Sequence, residues 1–384
     1  MMKPFLEKIF IDENVTHDKL TQSILEKCKG IPCKIVKKDE LESVLSPISL
    51  SQGKRILLIT EQKGGLVKPC PGTLPPYLCC RYTVINQMMQ CPVDCTYCIL
   101  QCVIDQPTIS LYINLPDIFK SVDRLLSEQR GRLFRFGTGE STDSLALDDV
   151  TGISSPLIQY FSQKRNTLIE FKTKTTCIDR LLESFDPHVV VSWSLNPQTI
   201  AGTEELHADR VVDRLRAAQQ CQEKGFLLGF HFDPILHVDH WESLYRELIQ
   251  KIFSYIDGSR IAWISLGSLR YPPILKGIIQ KRFPKSRIVY EEMIRGLDGK
   301  MRYPKPLRVE MYGKIYSWLK EQHDDLFIYF CMESSDVWDR VMGKHPENNE
   351  ELDYWFAQSL WKRFPDLDMD EPKRSDYIFL GITK

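Results

Sequence analysis

Cys91, Cys95 and Cys98 stand in a C-x3-C-x2-C spacing just after the apolar run Tyr82–Ile85. Three thiolates packed this tightly can wrap one face of a 4Fe–4S cube. That leaves one iron open to an exogenous ligand, where electron-transfer ferredoxins fill all four positions with cysteine. The alternative is zinc, which prefers paired C-x2-C clusters and would need Cys102 as a fourth ligand. Downstream polar residues interrupt apolar stretches. Gly137-Thr138-Gly139-Glu140 lets backbone approach a ligand closely and aims one carboxylate at it. Lys174 ends FKTK, Ser194 and Asn196 end SWSLN, and His231 and Asp233 lie two apart in GFHFDP, on one side of a strand. For His231 a core histidine with satisfied hydrogen bonds competes with substrate or proton-transfer contact.

These residues need a scaffold that brings them to one rim. Short β-rich runs (Tyr82–Ile85, Leu133–Thr138, Leu168–Thr173, Val189–Leu195, Phe226–Phe232 and Arg260–Leu266) alternate with amphipathic stretches at Pro116–Gln129, Pro156–Gln163, Ala208–Lys224 and Trp241–Tyr255. Six βα units in series predict a parallel α/β sheet curled into an open, partial TIM-like (β/α)6 barrel over 82–269. Reactive groups in such sheets collect at the carboxyl ends of the strands, where every candidate above falls.

The cysteine spacing, with Tyr97 just before the last thiol, resembles the radical S-adenosylmethionine (SAM) superfamily. The order KPCPGT, CC-x-Y, CPVDCTYC-x-LQ, RF-x5-STDS-x3-D, TK, S-x-N and GF-x3-P, over about residues 60–300, resembles its spore photoproduct lyase family. The resemblance implies a lyase that uses a SAM-derived deoxyadenosyl radical on a thymine–thymine lesion in DNA, with a 4Fe–4S cluster on Cys91, Cys95 and Cys98. It implies SAM contacts at Gly139, Glu140, Thr142, Asp143, Lys174, Ser194 and Asn196, and an external electron donor such as flavodoxin or ferredoxin. Two departures stand out. The family's hydrogen-donating cysteine is replaced by Glu140, and the tyrosine after the last cluster cysteine by Ile99. The catalytic set expected here is therefore Glu140 and Tyr97, with Cys177 or Cys102 as substitute thiols if the fold brings one within reach.

The flanks complete the expectation. Residues 1–65 read as a small α/β domain, with strands at Phe5–Ile11, Cys33–Lys37 and Arg55–Thr60 and a helix over Thr16–Cys28 capped near Thr16. Residues 66–81 read as a Gly/Pro/Cys linker in which Cys70, Cys79 and Cys80 are small buried thiols. Between Arg270 and Arg308, eleven Lys/Arg face three acids, with aromatics interleaved. That is what phosphate contact with base stacking requires, so 270–308 is expected to touch nucleic acid, with Lys300, Arg302 and Tyr303 among the substrate contacts. Residues 309–384 read as an acidic α+β extension, in which FIYFCMESSDVW and ELDYWFAQSLWKRF are a strand then a helix packed on the barrel. The net charge of −1 offers no global field for a polyanion. Twelve clustered cysteines, without a signal peptide or membrane span, predict a cytoplasmic protein.

Overall fold

The computed structural model describes residues 6–72, 75–129 and 131–377. Its central sheet has eight strands. The expected six run in chain order and in parallel: Thr83–Ile85, Phe134–Gly137, Thr167–Thr173, Val189–Ser194, Leu227–Ile235 and Ile261–Ser268. Ile328–Phe330 adds a seventh parallel strand beside the sixth, and Val67–Pro69 pairs antiparallel with the first at the other edge. The sheet is thus a half-barrel in a mixed α/β chain.

Burial explains the strands. Every residue of Val189–Ser194 is buried, as a strand covered by helices outside and polar side chains inside must be. The helix Leu115–Glu128 buries Leu115, Ile118 and Val122, and Trp241–Tyr255 buries Trp241, Tyr245, Leu248, Ile249 and Ile252, one stripe each. Val211–Lys224 stops at Gly225, whose φ of 108° suits only a residue without a Cβ.

The flanks differ from the expectation. The first strand of the amino-terminal unit is Lys8–Asp12, and Phe5 lies outside the described residues. Its helix is Lys19–Lys27, capped by Asp18, whose carboxylate accepts from the Leu20 amide at 2.7 Å. The unit is not closed by residues 1–65. Ile109–Tyr112, which follows the cysteine loop, joins Ile56–Thr60 in parallel and brings Met88–Met89 with it. Its four residues are all buried, so the unit needs them as core. One apolar cluster runs from Ile9 and Leu57 to Phe356, tying the unit to the barrel. The linker also has structure: beyond Val67–Pro69, Tyr77–Leu78 pairs with Glu333–Ser334. Residues 73–74 of the linker and 378–384 of the extension lie outside the description.

Candidate active site

The cysteine loop leaves the first barrel strand at its carboxyl end. Gln90 and Asp94 take positive φ, 68° and 52°, to turn it. Asp94 is held by Arg282, from the helix Pro273–Arg282, at 3.0 and 3.2 Å. Gln101 donates to the carbonyls of Thr96, Cys98 and Cys95 at 2.9, 3.2 and 3.4 Å. Cys91, Cys95 and Cys98 are unbridged thiols. Burial pushes all three up, Cys91 to about 12, while Lys54 favours the thiolates of Cys91 and Cys98 and Lys174 those of Cys95 and Cys98. Cys102 is turned to the Ile99 carbonyl at 3.2 Å.

Among the described residues no three His, Cys, Asp or Glu side chains form a ready-made site for a single metal ion. Three unbridged thiols on one short loop, beside cations that favour thiolate, are the donor set a 4Fe–4S cluster would use.

Beneath the loop lies a carboxylate that the sequence did not signal. Glu205 Oε1 accepts from Tyr97 Oη at 2.5 Å, Lys174 Nζ at 2.9 Å and Asn196 Nδ2 at 3.1 Å, and Oε2 accepts from Arg214 at 2.6 Å. Its backbone bridges Cys95. Burial raises its pKa, but Lys174 and Arg214 outweigh that and hold it at about 2. Four residues expected at the site, Tyr97, Lys174, Ser194 and Asn196, therefore meet, but around Glu205. Lys174 also donates to Ser194 at 2.7 Å, and Asn196 Oδ1 accepts from Tyr245 at 2.8 Å. Tyr97 and Asn196 are thus engaged within the protein, by Glu205 and Tyr245. Asp143 is engaged likewise, taking the Leu145, Ala146 and Lys174 amides and the Thr173 hydroxyl at 2.7–3.0 Å. Thr142 is buried next to it.

Glu140 sits at the rim with its side chain 37% exposed and Lys172 Nζ 3.7 Å away. Gly139 has no room for a side chain, since a Cβ would lie 2.7 Å from that of Lys172. Inside the barrel His231 Nε2 meets Glu170 Oε1 at 2.7 Å, and Asp233 takes Arg270 through both oxygens at 3.0 and 3.1 Å. Burial raises the Glu170 carboxyl, yet His231, Lys172 and Ser192 bring it to about 2. Glu170, Lys172 and Lys174 alternate along one strand, a period-2 signal that could have revealed the first two.

Other expectations fail. Cys177 packs against Asp149 of the helix Asp148–Thr151 at the barrel's flank, where burial pushes its thiol up to about 12. The expected nucleic-acid contacts are internal: Arg302 is 1% exposed, paired with Asp298 at 2.7 Å and stacked 4.0 Å from the Tyr77 ring. Tyr303 is also buried, its hydroxyl accepting from the His237 amide at 3.1 Å, and Lys300 leans on Asp298 and Met332. Four of the eleven bases at 270–308 are spent on ion pairs inside the protein, because Asp233, Asp94, Asp298 and Glu333 meet Arg270, Arg282, Arg302 and Arg308.

A parallel half-barrel with a three-cysteine loop at its carboxyl rim is the architecture of a radical SAM barrel. A family model described as spore photoproduct lyase matches residues 80–326, and the chain belongs to that family. Curated spore photoproduct lyases from Geobacillus sp. (strain Y412MC61) and Bacillus subtilis (strain 168) are 27% and 26% identical over 209 and 206 residues, 53% of this chain each. The chain spans about three fifths of their length, 61% and 60%. Among solved structures, a spore photoproduct lyase variant with bound AdoMet and dinucleoside spore photoproduct superposes with a TM-score of 0.77 at 22% identity, covering 85% of this chain and 100% of that one. A spore photoproduct lyase complexed with dinucleoside spore photoproduct gives 0.75 at the same identity and coverage. At this identity the likeness establishes the fold. No helix among the described residues is long and apolar enough to cross a membrane.

Proposed function

We propose that this chain is a radical SAM lyase that reductively cleaves S-adenosylmethionine at a 4Fe–4S cluster and acts on a DNA photolesion of the spore photoproduct kind. The observation that carries the reading is the set of three unbridged thiols at the rim of a parallel half-barrel, with a partly exposed carboxylate, Glu140, on the same rim. Bound there, the cluster and SAM supply one-electron cleavage of a carbon–sulfur bond. The chain's own residues bind and orient. Cys91, Cys95 and Cys98 hold the cluster, Glu140 meets the SAM ammonium, Gly139 admits its backbone, and Lys174 offers its remaining N–H to the SAM carboxylate. Thr142 and Ser194 line the same rim. The lesion enters from the open mouth towards His231 and Asp233.

Relatives named for the dinucleoside lesion support the substrate class. DNA contact then falls to the exposed bases Lys276, Lys281, Lys285, Arg287 and Arg295, with Tyr290 and Leu297 exposed beside them. A flavodoxin or ferredoxin is the proposed reductant, and twelve cysteines that form no disulfide fit the reducing cytoplasm. A second reading, the same radical on a modified nucleobase, peptide or small metabolite, draws on the charged interior of Glu170, Lys172, His231 and Asp233.

Anaerobically reconstituted protein should form 5′-deoxyadenosine from SAM, faster with irradiated DNA than without. Cys91→Ala, Cys95→Ala and Cys98→Ala should each lose the brown chromophore and that product. Full activity in any of the three rejects the reading, and indifference to irradiated DNA favours the second substrate class.

A further inference from the structure

A carbon radical left on a substrate must take a hydrogen atom before the product can leave. Thiols are the best side-chain donors because their S–H bond is weak, whereas the Glu140 carboxylate has no hydrogen to give. The barrel interior does contain a thiol, supplied by the last strand. Tyr329 pairs with Ser265, and Ser265 with His231, so these three face one way. Two residues beyond Tyr329 is Cys331, whose amide continues the ladder to the Leu266 carbonyl at 2.9 Å. The alternation turns its side chain to the same interior, at the carboxyl rim.

Its surroundings agree. Arg270 donates to Cys331 Sγ at 3.2 Å while holding Asp233 at 3.0 Å. Gly267 lets this pair pack against the strand, since a Cβ there would lie 2.8 Å from both the Asp233 carboxyl and the Arg270 guanidinium. Lys172 is held charged by Glu140, Glu170 and Asp233, and Cys331 lies within reach of the same ammonium, so all four border one interior. The substitute thiols the sequence offered point elsewhere, Cys177 to the flanking helix and Cys102 to the Ile99 carbonyl, and Cys79 turns to its neighbours Cys70 and Cys80.

We propose that Cys331 is the catalytic hydrogen-atom donor that quenches the substrate radical, a role resting on the radical-enzyme reading above. Its S–H bond breaks, a C–H bond forms on the substrate, and the unpaired electron moves to sulfur. One electron from the external one-electron donor protein and one proton from water restore the thiol. The sulfur accepts from Arg270, which leaves its own hydrogen free to point into the barrel. Burial pushes the thiol well up, so it keeps that hydrogen at neutral pH.

Because a thiol exchanges with solvent, the test is turnover of dinucleoside spore photoproduct by the reconstituted enzyme in D2O, with mass analysis of the thymine product. Wild type should incorporate deuterium. Cys331→Ser, which keeps the acceptor for Arg270, should lower labelled product per 5′-deoxyadenosine by about tenfold or more. Cys33→Ser, on the exposed edge of the amino-terminal sheet, should match wild type. Undiminished labelling in folded Cys331→Ser rejects the donor role alone. Unlabelled product from wild type rejects it without any variant. A wild type that forms no 5′-deoxyadenosine rejects both the donor role and the function it rests on.

Discussion

Lys172, in the strand Thr167–Thr173, and Lys174, just past its end, have different tasks. The first meets half-exposed Glu140 at 3.7 Å, and the second is 13% exposed and locked to buried Glu205 at 2.9 Å. A charge already neutralised by a buried partner has less to offer a ligand than a carboxylate at a rim. Glu140→Ala should therefore weaken SAM binding on the order of tenfold, with the melting temperature unchanged. Lys174→Ala should lower the melting temperature first, because it leaves Glu205 with one fewer counter-charge in a dry site. Calorimetric SAM titration and thermal unfolding of both variants check the division. Equal drops in affinity with equal stability would contradict it.

Among the elements, the segment after the sixth strand faces both ways. The helix Pro273–Arg282 turns Arg282 inward to staple Asp94 in the cysteine loop, and leaves Lys276 and Lys281 exposed. The hairpin strands Ile294–Arg295 and Met301–Arg302 do the same, with Arg302 inside and Arg295 outside. Neutralising Lys281, Lys285 and Arg287 together should flatten the salt dependence of DNA binding, by about one in log–log slope for each phosphate that is no longer neutralised. Arg302→Ala should instead cost about 3–5 kcal/mol of stability, since Asp298 would be left buried without its partner. Binding titrations across salt, set against denaturant unfolding, separate the two classes.

For the molecule as a whole, two buried carboxylates set the response to acid. Glu170 and Glu205 both sit at about 2, below their ordinary 4.5. A depressed carboxyl pKa contributes stability that is full above the unfolded value and disappears as pH falls through the folded one. Stability should thus decline between about pH 4.5 and 2. Glu205→Gln should be less stable at neutral pH and show a shallower decline, measured by denaturant midpoints along the pH series. A parallel destabilisation at every pH would show that Glu205 does not titrate in this window.

Much of the site and scaffold is legible in the chain itself, for a physical reason. Cys91, Cys95 and Cys98 are close in sequence, so their spacing alone constrains what they can ligate, and the six strands announce themselves because buried parallel strands are mostly apolar. Trp241–Tyr255 forms the helix its periodicity predicts. What the sequence could not express is pairing between distant charges. The Arg270–Arg308 segment reads as a basic surface because composition does not show that Asp94, Asp233 and Glu333 come back to meet it. Glu205 has no local signature, and only folding sets it under Tyr97, Lys174, Asn196 and Arg214. The strand at Ile328–Phe330 is readable in FIYFC, but only its parallel pairing with Ile261–Ser268, which no local pattern marks, carries Cys331 into the barrel.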